Sequence, residues 1–290
     1  QTADILLKEP DSYKETLRQY LAQGLSYPVA RKMAFQDYTK NPDLCNILDT
    51  PNNILGIEYL KALRHINSSI KPFTLSRKGA GYHAEQLHET FSSASAIRAS
   101  LLQADVQHNS WKSEGSLKQM PPAAAQIMRN NYNRKTPVYS NDFSLLLKAK
   151  LLTETCDSLI EYADISEALA RRIINQRNQF VNWDAFCELL KTKDMTYSRI
   201  SRALMHILLN IRTEDMTAYQ AEQNCCYARV LGFRKEQTEI LKLFKQNSSV
   251  PVITKLGQID SLSNAGQKMS DTDCYASNLY ESVVTDKFHT

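Results

Sequence analysis

A chain of 290 residues with a formal net charge of +4 is long enough for two domains with their own cores, and its mildly basic balance does not by itself indicate a nucleic-acid binder. No apolar run approaches the roughly 18 residues that a membrane-spanning helix needs, and the six cysteines include no CxxC pair and no zinc-ligand spacing. We therefore expect a cytoplasmic protein without a metal site of its own.

The first predicted elements are two consecutive helices. Large apolar residues recur at helical spacing from Tyr13 to Gln23, and Gly24 then ends the helix. A second helix begins at Ser26, a residue type that commonly caps a helix start. Packing between the two helices accounts for their aromatic residues, whereas Arg31 of the second helix could face a ligand.

An asparagine pair opens the next predicted helix. Asn52 and Asn53 follow Pro51 and precede apolar residues at helical spacing between residues 54 and 63. We expect an Asn side chain to cap this helix, whose positive end can also attract an anion. An Asn amide there could contact the base or ribose of a nucleotide. Capping alone is the competing interpretation.

A basic, glycine-containing turn follows. The apolar segment from Ile70 to Leu75 predicts a short strand that runs into Arg77, Lys78 and two glycines. Glycines let a backbone approach an anion closely, and an arginine supplies a forked pair of donors. The segment matches neither a Walker loop nor a GxGxxG fingerprint, so a plain surface turn remains the alternative.

A second polar helix start lies at residues 93 to 98, in the order Ser-Ala-Ser-Ala-Ile-Arg. We expect Ser93 or Ser95 to cap a helix there, with Arg98 one turn inside it. Two hydroxyls, free backbone amides and a guanidinium could together hold a polyphosphate. A solvated cap with an incidental arginine is the alternative.

The composition changes after this helix. A polar segment between residues 103 and 118 predicts a boundary, and helical patterns dominate from Asp142 onward. We therefore predict two domains, residues 1–104 and residues 105–290, of which the second is mainly α-helical. The whole chain is expected to be dominated by helix, with a short strand near residues 250–255.

The most basic part of the second domain runs from Leu169 to Arg212. It carries eight Lys or Arg residues against three acidic ones. The predicted helix from Thr196 to Ile211 places Arg199, Arg202 and His206 on a face different from its apolar face. A cationic helix face could bind an RNA backbone, although a charged face on a helix is often only solvated.

Three motifs together resemble a known family. They are PNNILGIEYLKAL at residues 51–63, SRKGAGYH at residues 76–83, and the S-x-S-x-I-R segment at residues 93–98. The last is similar to the ISSTxxR-type signature of the HxGH nucleotidyltransferase superfamily. Combined, the three motifs resemble the bacterial tRNA(Met) cytidine acetate ligase family, and the resemblance runs through most of the chain.

The resemblance implies a fold, an activity and partners. Residues 1–104 would be the C-terminal part of a nucleotidyltransferase-like (Rossmann-like) α/β domain that binds ATP, and residues 105–290 a mainly α-helical domain that binds tRNA. Members of this family use ATP to activate acetate as acetyl-adenylate, and then acetylate N4 of the wobble cytidine of elongator tRNA(Met). ATP as co-substrate, Mg²⁺, acetate and this tRNA are therefore the expected ligands, with no membrane and no obligatory protein partner. The mechanism needs no protein nucleophile and rests on electrostatic positioning.

The resemblance also gives roles to individual residues. The segment from Lys191 to Arg202 is similar to a basic helical motif of the family, K-T-K-R-Y-T-x-x-R-L-x-R, although Asp-Met at residues 194 and 195 replaces a basic-aromatic pair. The implied site residues are Ser93, Ser95 and Arg98 for catalysis, Asn52, Asn53, Arg77 and Lys78 for ATP, and Lys191, Lys193, Arg199, Arg202 and His206 for tRNA.

The sequence departs from the family at one motif. The HxGH motif belongs to the first βα turn of the fold, and no His-x-Gly-His occurs here. We therefore expect the chain to be the later part of a longer enzyme and to be catalytically incomplete alone. Two other functions stay open: an adenylyltransferase for a different small metabolite, which would have no RNA affinity, and a non-catalytic RNA-binding module.

Overall fold

The computed structural model describes residues 1–75, 87, 92–106, 114–193 and 195–289. Its backbone contacts divide the chain into two compact units, Gln1–Lys78 and Gly79–Thr290. The described parts of both units are mainly helical, and the second contains a small parallel sheet. The helix-dominated fold predicted from the sequence is thus confirmed, whereas the functional division after residue 104 stays a prediction.

The first unit is a group of helices around a small core. Tyr13 and Phe35 are at its centre, with ring centroids 6.4 Å apart in an edge-to-face arrangement. Ala34 and Ile57 are also buried there, so the helices that carry these residues pack against one another. The helices are α1 (Thr2–Lys8), α2 (Asp11–Ala22), α3 (Tyr27–Thr39), α4 (Pro42–Asn46) and α5 (Pro51–His65), with a 3-10 turn at Ile47–Asp49.

The predicted helix pair at the start of the chain is confirmed. α2 ends just before Gly24, whose φ of +82° is a left-handed conformation that a residue without a Cβ adopts freely. Ser26 then occupies the N-cap position of α3, and Pro28 lies in its first turn, where a missing backbone N–H costs nothing. α2 and α3 therefore form an antiparallel pair that positions Arg31.

The predicted strand at Ile70–Leu75 is wrong. These residues form no regular element, and Ile70, Phe73 and Leu75 are largely exposed, at 67%, 87% and 87%. Pro72 cannot donate a ladder hydrogen bond, and the described residues include no strand that pairs with the segment. Apolar β-prone residues alone do not make a strand when no partner strand or core face covers them.

The second unit contains the larger core, and most of its side chains come from the helices Ser144–Thr153, Glu167–Gln176, Trp183–Leu190 and Tyr197–Leu208. Trp183, Phe186, Ile200 and Leu204 are fully buried there. The helices of this unit are α6 (Ala94–Val106), α7 (Glu114–Leu117), α8 (Pro122–Asn131), α9 (Ser144–Thr153), α10 (Cys156–Ile160), α11 (Glu167–Gln176), α12 (Trp183–Leu190), α13 (Tyr197–Leu208), α14 (Thr213–Ala221), α15 (Thr238–Asn247) and α16 (Asn264–Phe288). Short 3-10 turns lie at Ser140–Phe143, Arg177–Gln179, Lys235–Gln237 and Leu256–Ser261.

The end of the chain holds the sheet and the longest helix. Strand β1 (Ala228–Arg229) pairs in parallel with β2 (Val252–Ile253), which confirms the short strand predicted near residues 250–255. The last helix begins at Asn264, where Ser263 caps its first turn. Within the described residues, no helix combines the length and the apolar character that a bilayer span requires.

The buried face of α13 gives a testable measure of this core. Leu204 is fully buried among α13 and its neighbours, so Leu204→Ala should lower the free energy of unfolding by about 2 to 5 kcal/mol through lost apolar contact and a residual cavity. Leu145→Ala removes the same atoms from a side chain that is 80% exposed, and should cost far less. Urea unfolding of both variants makes the comparison, and equal losses would contradict the assigned core.

Candidate nucleotide and RNA sites

The start of α6 is formed by a serine cap. The backbone N–H of Ala96 donates to Ser93 Oγ at 3.0 Å, and the backbone N–H of Ile97 donates to the Ser93 carbonyl at 3.1 Å. Ser93 is buried, at 2% exposure, and the N–H of the preceding Ser92 donates to Gln119 Oε1 at 3.1 Å. Of the two serines considered from the sequence, Ser93 is therefore the cap, and this helix end is anchored to the body of the second unit.

The predicted catalytic residues come together at this helix start. Ser95 and Arg98 are exposed and three positions apart, so they lie on one face of α6, directly beside the Ser93 cap. Within the described residues, the Arg98 guanidinium makes no ion pair. The positive helix end, the Ser95 hydroxyl and the Arg98 guanidinium therefore offer a compact set of donors to an anion.

The start of α5 differs from the predicted cap. Thr50 occupies the N-cap position and Pro51 the first helical position, and no side chain caps the helix. The prediction that Asn52 or Asn53 acts as the cap is wrong, because proline fixes the first turn one residue earlier than the asparagines would. Both asparagine side chains are exposed in the first turn, where they remain able to contact a ligand.

The other two predicted ATP ligands, Arg77 and Lys78, lie outside the described residues. In the described part of the chain, Asn52 and Asn53 lie on α5 of the first unit, and Ser93, Ser95 and Arg98 lie at the start of α6 in the second unit. Their assignment to ATP stays a prediction.

The predicted RNA face lies on α13 and on the loop before it. Thr196 caps α13 by accepting from the Arg199 backbone N–H at 3.4 Å, and five side chains on the opposite face are buried. Arg199 and Lys193 are exposed, while Lys191 lies 3.3 Å from Glu188 in an exposed ion pair that contributes little stability. Lys191, Lys193 and Arg199 are thus turned to solvent, as the sequence pattern predicts, whereas the His206 side chain is only 15% exposed.

Other arginines of the basic stretch serve the fold. Arg177 donates to the carbonyls of Leu151 and Glu154 at 3.2 and 2.8 Å, and Arg172 donates to the carbonyl of Leu189 at 3.0 Å. These guanidiniums satisfy carbonyls at helix ends that would otherwise lack donors. Fewer cationic side chains are therefore available to a ligand than the net charge of residues 169–212 suggests.

An acidic residue that sequence analysis missed organises one end of this face. Arg202 Nε lies 2.6 Å from Asp164 Oδ2, and His206 Nδ1 lies 3.1 Å from the Ala163 carbonyl and 3.5 Å from the same carboxylate oxygen. Asp164 has a φ of +63°, a left-handed conformation that Asp and Asn tolerate better than most residues. No local pattern links Asp164 to Arg202, which lies 38 positions later.

The electrostatics of this pair give a prediction about pH. The hydrogen bond from Arg202 holds the pKa of Asp164 below its usual value of 3.8, while burial opposes the shift. A lowered folded-state pKa adds stability that is complete above the unfolded pKa and is lost as pH falls through the folded pKa. The difference in unfolding free energy between the wild type and Asp164→Asn should therefore stay constant from pH 7 to about pH 5 and shrink below that.

Urea unfolding at pH 7 and pH 3 measures this difference, and asparagine keeps both the shape of the side chain and its tolerance for positive φ. Asp271→Asn is the matched control, because Asp271 is exposed on α16 and has no ion pair within the described residues. The same pH dependence in both variants would contradict the role given to Arg202.

Comparison with known proteins identifies the class. The sequence model of the HIGH Nucleotidyl Transferase family matches residues 1–290, and the chain belongs to this family. A tRNA(Met) cytidine acetate ligase of Alkaliphilus metalliredigens (strain QYMF) is 34% identical over 98% of this chain and 68% of its own length. The enzyme of the same name from Thermoanaerobacter sp. (strain X514) is 37% identical over 96% of this chain and 66% of its own length. Within the nucleotidyl transferases, the chain belongs to the tRNA(Met) cytidine acetate ligase family.

Solved structures agree with this assignment. The apo structure of Thermotoga maritima TmcAL matches with a TM-score of 0.85 at 26% identity, covering 98% of this chain and 68% of that one. A second structure of that protein, bound with alpha-thio ATP, matches with a TM-score of 0.82. This chain thus spans about two thirds of the length of the proteins it matches. The family resemblance inferred from residues 51–98 is confirmed.

Proposed function

We propose that the chain carries the larger part of an ATP-dependent acetate ligase that forms acetyl-adenylate and acetylates N4 of the wobble cytidine of elongator tRNA(Met). The observation that carries the proposal is the start of α6, where the Ser93 cap, Ser95 and Arg98 present donors to an anion in a chain of this family. A related structure that contains alpha-thio ATP supports ATP as the anion.

The donors at the start of α6 matter most in the first step of the reaction, the formation of acetyl-adenylate. An acetate oxygen attacks the α-phosphorus of ATP, and the bond to pyrophosphate breaks. Negative charge builds up on the phosphate oxygens during this step, and Arg98 with the amides of the α6 start would stabilise it. Because the donors are held by a capped helix, little reorganisation is needed as the charge develops. On the family resemblance we also propose Arg77 and Lys78 as ligands of ATP phosphates, and Asn52 or Asn53 as a ligand of its nucleoside.

The second step transfers the acetyl group. The exocyclic N4 of cytidine attacks the carbonyl carbon of acetyl-adenylate, AMP leaves, and N4 loses a proton. The RNA would be held by its backbone against α13 and the preceding loop, through Lys191, Lys193, Arg199, Arg202 and His206. Phosphate contacts of this kind fix the register of an RNA but carry no sequence information. As the proposed substrate is tRNA, we place the reaction in the cytoplasm.

We propose Mg²⁺ as the ion that accompanies ATP. Within the described residues, no group of three or more His, Cys, Asp or Glu side chains is arranged to hold a metal. Mg²⁺ is commonly bound through substrate phosphates and water, with one or two carboxylates. It would neutralise phosphate charge when ATP is bound.

Acetate-dependent exchange of labelled pyrophosphate into ATP tests the first half of the proposal. The assay should use this chain and a fusion that adds the third of a relative's length that this chain does not span. Exchange that requires acetate supports an acetyl-adenylate. Exchange with another carboxylate, and no RNA affinity, would favour a different adenylyltransferase. RNA binding without any exchange in the fusion would leave only a non-catalytic RNA-binding module.

A further inference from the structure

His206 lies on the cationic face of α13, but its contacts differ from those of the arginines beside it. Arg199 and Arg202 are exposed, whereas the His206 side chain is mostly shielded from solvent. The three residues follow one another at intervals of three and four positions, so they lie on one side of the helix. An RNA strand held along the two guanidiniums would therefore also pass over the exposed part of His206.

The contacts of His206 Nδ1 decide where the proton of the neutral ring lies. Nδ1 lies 3.1 Å from the Ala163 carbonyl oxygen and 3.5 Å from Asp164 Oδ2. A carbonyl oxygen only accepts hydrogen bonds, and Asp164 is ionised at neutral pH because the hydrogen bond from Arg202 lowers the pKa of this carboxyl. Nδ1 therefore carries the proton and donates, so the lone pair of the neutral imidazole lies on Nε2.

The second ring nitrogen of His206, Nε2, is accessible and has no partner in the protein. No described residue makes a hydrogen bond with it, and it is not one of the unpaired side-chain atoms that are closed to solvent. Nε2 therefore reaches the surface of the α13 face. Chains of hydrogen bonds polarise one another, so the contact between Nδ1–H and the Ala163 carbonyl strengthens Nε2 as an acceptor.

A phosphate does not complement this nitrogen. Its oxygens are acceptors, so they suit the guanidiniums of Arg199 and Arg202 and are repelled by the lone pair of Nε2. In the sugar-phosphate backbone of RNA, the group that can donate a hydrogen bond is the ribose 2′-hydroxyl, which DNA lacks. Each 2′-hydroxyl lies next to a phosphate, so a backbone bound by the two arginines brings this donor close to His206.

We propose that His206 accepts a hydrogen bond from a ribose 2′-hydroxyl through Nε2, while Arg199 and Arg202 bind the neighbouring phosphates. The Ala163 carbonyl and Asp164 act as positioning groups that hold the imidazole in the tautomer with a free Nε2. The inference rests on the proposed function for the RNA substrate. It adds a contact that distinguishes RNA from DNA, which phosphate contacts alone do not.

A double-mutant cycle between protein and RNA tests this contact. Copies of elongator tRNA(Met), each with a single 2′-deoxyribose, are assembled by ligation and bound to this chain at pH 8, where a histidine is commonly neutral. At least one position should lower the affinity by about three- to tenfold, the effect of one neutral hydrogen bond. The same position should have no effect in His206→Asn, because asparagine can still donate to the Ala163 carbonyl but has no acceptor in place of Nε2.

Two further variants and the salt dependence make the test specific. His206→Gln places an amide oxygen near the position of Nε2 and should recover part of the lost affinity. His65→Asn makes the same substitution at an exposed histidine of α5, and should respond to each 2′-deoxy position as the wild type does. The slope of log K against log salt should be unchanged in His206→Asn, because a neutral acceptor displaces no counterion.

Three results would overturn the proposal. The first is a tRNA affinity that responds to no single 2′-deoxy substitution, and the second is the same response in His206→Asn and the wild type. The third is a smaller salt slope in His206→Asn, which would show that the ring is protonated and binds a phosphate. None of these results affects acetate transfer by the fusion, whereas a chain without RNA affinity would also overturn the RNA part of the proposed function.

Discussion

Replacing Arg98 with alanine should lower acetate-dependent ATP–pyrophosphate exchange by about a hundred- to a thousand-fold, the effect of removing one preorganised donor to a charged transition state. Arg98 is exposed on α6 and is not part of the core, so the loss should not arise from unfolding. The proposed RNA face lies on α13, and the affinity for tRNA should therefore stay unchanged. Exchange and tRNA affinity should both be measured in the fusion that adds the part of a relative's length that this chain does not span.

The control for Arg98 is Arg134→Ala, which removes the same charge from an exposed position outside the proposed sites. This variant should keep full exchange. Full exchange in Arg98→Ala as well would show that the α6 start does not act on the phosphates. Loss of both exchange and tRNA binding, with a lowered midpoint in urea, would instead identify a structural role.

Replacing Arg199 and Arg202 together with alanine should lower tRNA binding and leave exchange unchanged, the reverse of the effect expected for Arg98→Ala. Affinity for tRNA should fall, and the slope of log K against log salt should become smaller by about 1 to 2, because each phosphate contact releases close to one counterion. Acetate-dependent exchange should be unchanged, since it does not involve RNA. Filter binding at several salt concentrations measures the slope.

Two features of the structure sharpen this experiment. Arg202 is paired with Asp164, so its removal also affects stability, and unfolding in urea must be compared before binding is interpreted. Arg134→Ala combined with Arg171→Ala is the charge-matched control, because both side chains are exposed and lie on other helices or loops. A salt slope equal to that of the wild type would mean that the α13 face is only solvated.

The features that the sequence predicts correctly are those that depend on neighbours in the chain. Ser26, Ser93 and Thr196 are at N-cap positions, where a short side chain can occupy the free end of the helix that follows. The two faces of α13 follow from the 3.6-residue repeat in the same way. Such signals involve only a few consecutive residues, so they can be recognised in the sequence without knowledge of the fold.

The features that the sequence predicts wrongly, or misses, depend on distant residues. The segment before residue 76 has β-prone composition, but whether it becomes a strand depends on a partner elsewhere in the chain. The pairing of Asp164, in the turn before α11, with Arg202 of α13 likewise depends on contacts between segments that are distant in the chain. The α5 start is a local exception, because Pro51 takes the first helical position and moves the cap to Thr50.

The most direct test of the central claim is ATP-dependent transfer of labelled acetate to elongator tRNA(Met), measured for this chain and for the fusion. The proposed function predicts label on N4 of the wobble cytidine with the fusion, no label without ATP, and no label on a tRNA whose wobble base is not cytidine. A fusion that binds tRNA with the expected salt dependence, but transfers no acetate, would contradict the ligase and leave an RNA-binding protein.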